Sequence, residues 1–81
     1  ETALNLGKVY AQEGNDGESK KYAQLAISKG IKSPGEAYLT LARAENALGN
    51  KAAGTAALRE AEKYPESKAQ AAKLLKQAGA K

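Results

Sequence analysis

The chain has 81 residues, of which 42% are hydrophobic, and this bounds it to one small domain with a limited core. It carries no Cys and no His, which excludes disulfides, thiolate metal sites and the commonest acid–base side chain, so no cofactor or metal is expected. The formal charge of +4 lies in the tail, because nine bases balance all nine acids before Ser67 while Lys68, Lys73, Lys76 and Lys81 stand unopposed.

Apolar residues recur at three and four positions from the start, and no alternating strand pattern competes. Ala3, Leu6, Val9 and Tyr10 predict a helix over about 2–13. Neither Met nor a capping residue precedes it, so the chain reads as a segment of a longer protein. Gly14 closes this helix, and Asn15 or Asp16 caps a second over about 16–29, striped by Tyr22, Ala23, Ala26 and Ile27. After Gly30, Ser33-Pro34-Gly35-Glu36 forms a capping box with Pro at the first helical position. It opens a third helix over about 34–48, with Ala37, Tyr38, Leu41, Ala42 and Leu48 on one face. Gly49 ends it and Asn50 caps a fourth, over about 51–64, striped by Ala53, Ala57, Leu58, Ala61 and Tyr64. Ser67-Lys68-Ala69-Gln70 is a second box, opening a fifth helix over about 67–78 that carries Ala71, Leu74, Leu75 and Ala78 and stops at Gly79. Cations suit the C-terminal end of a helix, so the tail lysines read as its solvated face.

Links of two or three residues between the first and second helices, and between the third and fourth, predict antiparallel hairpins. Small residues at Gly7, Ala23, Ala26, Ala42, Ala57 and Ala61 allow close backbone approach, with Leu6, Tyr10, Leu41 and Leu58 filling the remaining volume. The four tyrosines fall on or near the apolar stripes, which predicts packing rather than recognition. Gly14-Asn15-Asp16-Gly17 follows a helix and lacks a Lys-Ser or Lys-Thr pair, so it is no phosphate loop. The Ser, Lys, Tyr and carboxylate side chains show no paired nucleophile and base, which argues against an enzyme. No apolar run approaches the roughly 18 residues of a membrane span, and no leader pattern opens the chain, so a soluble domain of undetermined compartment is expected.

The chain echoes itself at a spacing of 35 residues. Leu6-Gly7, Tyr10, Gly14-Asn15 and Ala26 return as Leu41-Ala42, Glu45, Gly49-Asn50 and Ala61. Ala3, Leu6-Gly7, Tyr10, Gly14, Ser19 and Ala26 resemble one tetratricopeptide repeat of the usual period near 34, and Tyr38, Leu41-Ala42, Gly49, Gly54, Leu58 and Ala61, with Pro65 beyond, resemble a second. The departures are Ile31 in place of a closing proline, and Ala23 and Glu45 where large aromatic residues are common.

The resemblance implies an all-α fold: two tetratricopeptide-like antiparallel hairpins, about 1–32 and 33–66, and a capping helix about 67–78, as a fragment of a right-handed solenoid. In this family the first helix of each repeat lines a concave groove for a peptide or partner helix. Carried onto this chain, the groove takes Glu1, Leu4, Asn5, Lys8, Ala11 and Gln12 from the first helix. The third supplies Glu36, Leu39, Thr40, Arg43, Asn46 and Ala47, and the last Ala72 and Lys76. Asn5, Lys8, Gln12, Leu39, Arg43, Asn46 and Lys76 are the principal candidates. Lys8, Arg43 and Lys76 give roughly one cation per layer, a ladder suited to an acidic segment. The expected partner is therefore a protein or peptide, with nucleic acid the weaker reading because few aromatics and only two arginines are present. Two repeats fall short of the roughly three needed for independent stability, so assembly, including a homodimer, is the alternative.

Overall fold

The computed structural model describes residues 2–32 and 34–77. Five α-helices account for most of them: α1 (Thr2–Gln12), α2 (Asp16–Ser28), α3 (Pro34–Ala47), α4 (Lys51–Ala61) and α5 (Lys68–Gln77). No strand occurs among the described residues, and the fold class is all-α.

The same device ends α1 and α3. Gly14 and Gly49 take left-handed φ values of 79° and 88°, open to glycine without a Cβ penalty. This turns the next amide back onto the helix, so that Asn15 N–H donates to Tyr10 C=O and Asn50 N–H to Glu45 C=O, both at 2.8 Å. The glycine amides meanwhile bond Ala11 C=O at 3.1 Å and Asn46 C=O at 3.0 Å, completing a Schellman closure at each site. Asn15 and Asn50 then open α2 and α4 through their carbonyls, which accept from Ser19 N–H at 3.0 Å and Gly54 N–H at 2.9 Å.

Neither asparagine caps with its side chain, contrary to the expectation from sequence. Each residue must close one helix while opening the next, and its ψ of 77° or 69° falls short of the extended backbone typical of a capping residue. The Asn50 amide instead donates to Glu45 Oε1 at 2.9 Å. Helix α4 also stops at Ala61 rather than near Tyr64. Tyr64 precedes Pro65, which disfavours helical backbone there, and residues 62–67 form turns. Ser67 accepts Ala71 N–H at its carbonyl, starting α5, while its hydroxyl donates to Ala61 C=O at 2.7 Å and satisfies an end carbonyl of α4. The first capping box at Ser33, the final stop at Gly79, and Ala78 and Lys81 lie outside the described residues.

Contacts fix how the helices run. Gly7 meets Ala23 and Ser19, with the Ser19 hydroxyl donating to Gly7 C=O at 2.8 Å, while Tyr10 stacks on Tyr22 at 5.6 Å between ring centroids. Leu4, earlier in α1, clusters with Ala26, later in α2 than the Ser19 and Ala23 that Gly7 meets, so the pair is antiparallel. In α3 and α4, Asn46 lies against Gly54 and Tyr38 stacks on the segment after α4 at Tyr64, 6.1 Å away, which is again antiparallel. Across the two pairs, Leu4 shares a cluster with Ala37 and Gly7 lies beside the Thr40 methyl, so α1 and α3 run parallel, side by side.

The core follows from these approaches. One cluster holds Leu4, Ala26 and Ala37, and a larger one holds Leu39, Ala42, Ala57, Leu58, Ala61, Ala71 and Leu75. Six of these ten are alanine, each burying less apolar area than a leucine, so the stabilisation per residue is small. Val9 and Leu48, counted on the apolar stripes, are instead exposed at 46% and 45%. The α2–α3 contact adds an ion pair, Lys20 Nζ to Glu45 Oε1 at 3.2 Å, with the carboxylate 7% exposed. Glu45 therefore serves Lys20 and Asn50 together, at the repeat position of Tyr10. No helix among the described residues is long and apolar enough to cross a membrane.

Candidate binding groove

Parallel packing of α1 and α3 leaves a trough between them, because only their facing edges touch. Helical spacing brings Lys8, Ala11 and Gln12 of α1 to one wall. On α3 the same rule aligns Glu36, Leu39, Thr40, Arg43, Ala44 and Ala47. The short link after α1 places Asp16 of α2 at one end, and α5 contributes Gln70. The enclosed space is about 580 Å³ and opens to solvent.

Its floor is buried and largely apolar. Leu39, Thr40 and Ala44 are buried, and the Thr40 hydroxyl is turned inward to Glu36 C=O at 3.0 Å. The rim is polar. Lys8 Nζ bonds Glu36 Oε1 at 3.0 Å, with the two side chains 43% and 46% exposed. Arg43 is exposed and has no hydrogen-bond or ion-pair partner among the described residues. Gln12 and Gln70 add uncharged amides, both exposed.

Of the seven principal candidates, Lys8, Gln12, Leu39 and Arg43 line this groove. Asn46 instead lines a smaller hollow of about 260 Å³ with Arg43, Ala42, Leu58, Leu74 and Gln77. Its amide sits where a Gly54 side chain would go. Asn5 and Lys76 are exposed and line neither hollow, so the cation ladder does not continue onto α5. Among the other residues carried over, Ala11, Glu36, Thr40 and Ala47 line the groove, Leu4 is buried in the core, Ala72 lines neither hollow and Glu1 lies outside the described residues. Sequence reasoning missed Asp16, Ala44 and Gln70. Ala44 had a findable signal, one turn beyond Thr40 on the same face. Asp16 and Gln70 arrive through tertiary packing and had none.

Among the described residues no group of three Asp or Glu side chains is placed to hold a metal ion. Compared with family models, with curated proteins and with solved structures, the chain finds no match.

Proposed function

We propose that this chain is a noncatalytic protein-interaction module of the tetratricopeptide type, whose groove between α1 and α3 receives a peptide or a partner helix. The observation that carries the reading is the open hollow of about 580 Å³, with its buried Leu39 and Ala44 floor and polar rim. An apolar floor supplies affinity and a few placed polar groups supply orientation, the usual division of labour in a binding cleft. Support for the repeat comes from the paired closures at Gly14 and Gly49 and from the parallel run of α1 and α3.

The test is selection from a random peptide library on the immobilised wild-type chain, with Ala47→Arg as counter-screen. Ala47 is exposed at the C-terminal end of α3, so an arginine there fills the groove without disturbing the core and suits the helix dipole. Peptides that bind wild type and lose binding to Ala47→Arg support the reading. Failure to select any such peptide refutes it.

A second reading, assembly, draws on one contrast. Ala44 is 1% exposed, whereas Val9, its counterpart one period earlier, is 46% exposed. The face of α1 that matches a buried face of α3 is thus uncovered. Sedimentation at several concentrations decides: a dimer abolished by Val9→Lys supports assembly, and a monomer throughout rejects self-association.

A further inference from the structure

We infer that Glu36 is a resident carboxylate occupying the Lys8 site, so that the groove holds one ligand carboxylate, on Arg43, rather than two. This rests on the peptide-binding reading and assigns its charge selectivity.

The groove has two basic and two acidic side chains, and a formal count makes it neutral. The four groups are not equally committed. Glu36 lies in the first turn of α3 and is bonded to Lys8 at 3.0 Å, so each charge is met by the other. Asp16 is the first residue of α2, where the helix dipole favours a carboxylate. Arg43 alone has neither an ion-pair partner among the described residues nor a helix end beside it, since it sits well inside α3.

The unmet charge of the groove is therefore a single guanidinium, beside an apolar floor. A planar fork of donors matches a carboxylate in a bidentate manner, which a lysine ammonium does not. The Lys8–Glu36 contact shows on this chain itself that the α1 wall can hold a carboxylate at hydrogen-bonding distance. A ligand acid reaching Lys8 has to displace Glu36, which is covalently tethered and already seated. The occupant that fits is a peptide segment with one acidic side chain or terminal carboxylate next to an apolar residue.

Parallel selections from the same peptide library on wild type, Arg43→Gln and Glu36→Gln test this. Both substituted side chains are at least partly exposed, and a surface ion pair is worth little, so both variants stay folded. Peptides selected on wild type should carry one acidic position whose change to the amide weakens binding roughly tenfold. Arg43→Gln should erase that Glu-over-Gln preference, and Glu36→Gln should select a second acidic position. Groove-binding peptides without an acidic preference on wild type, or a preference that survives Arg43→Gln, overturn the inference while leaving the groove reading intact. An acidic preference unchanged in Glu36→Gln overturns the role given to Glu36. Absence of any groove-binding peptide overturns both readings.

Discussion

Replacement of Gly35 by Ala tests how α5 is fastened to the rest of the molecule. A Cβ built on Gly35 falls 2.9 Å from Ser67 Cβ, closer still to the Ser67 hydroxyl oxygen, and 3.0 Å from Glu66 Oε2. The Glu66 carboxylate, which accepts Gly35 N–H at 3.2 Å, ends a long exposed side chain and can swing aside. Ser67 has no such freedom: it is 1% exposed, its side chain is short, and its hydroxyl is held by Ala61 C=O at 2.7 Å. Relief comes either from rotating that hydroxyl away, which leaves a buried polar group unpaired at about 1–3 kcal/mol, or from shifting the start of α5, an overpacking cost of about 1–3 kcal/mol. The helical preference of Ala over Gly returns less than about 1 kcal/mol, because Gly35 lies in the first turn. The net expectation is a loss of about 0.5–2.5 kcal/mol, with each kcal/mol lowering Tm by about 4–8 °C in a domain of this size. Urea unfolding followed by far-UV circular dichroism measures it. Gly17→Ala is the control, since nothing lies within 4 Å of a Cβ there, and it should be neutral or slightly stabilising. Combining Gly35→Ala with Ser67→Gly removes the colliding Cβ and should recover part of the loss. If Gly35→Ala unfolds at the wild-type urea concentration or higher, the docking of α5 on the start of α3 is wrong.

Two further substitutions probe the hairpins. Gly49→Ala forces an alanine to a φ of 88° and should cost about 1–2 kcal/mol in the same urea assay, with no change in groove-peptide affinity. Glu45→Gln keeps an acceptor for the Asn50 amide but removes the charge facing Lys20. Because that lysine is a third exposed, the loss should be only about 1 kcal/mol, and the gap to wild type should narrow as salt is added.

The helices were legible in the sequence because their punctuation is local. Gly14 and Gly49 mark stops that only a left-handed residue makes cheaply, and Pro34 fits the first helical position of α3. The end of α4 was misplaced because Tyr64 continued the apolar stripe while Pro65 forbade the helix, and the backbone constraint outweighed the pattern. Side-chain capping by Asn15 and Asn50 failed because each residue also closes the preceding helix, and the Asn50 amide turns instead to Glu45, whose carboxylate also meets Lys20 of α2. Val9 lies on the apolar spacing of α1 but is exposed, since periodicity tells which residues share a face and not which faces are covered. Spacing within one helix grouped Lys8 with Gln12, and Leu39 with Arg43, and all four line the hollow between α1 and α3. The pairing of Lys8 with Glu36, 28 positions apart on different helices, was not legible, and it changes the charge that this rim presents.

The groove itself is tested most directly by recording amide proton–nitrogen NMR spectra while a peptide selected on the wild-type chain is added. Shifts concentrated at Lys8, Ala11, Gln12, Thr40, Arg43 and Ala47, with Val9 and Leu48 unmoved, are the predicted result. Shifts centred on the exposed Val9 face, with Arg43 and Ala47 silent, would contradict it.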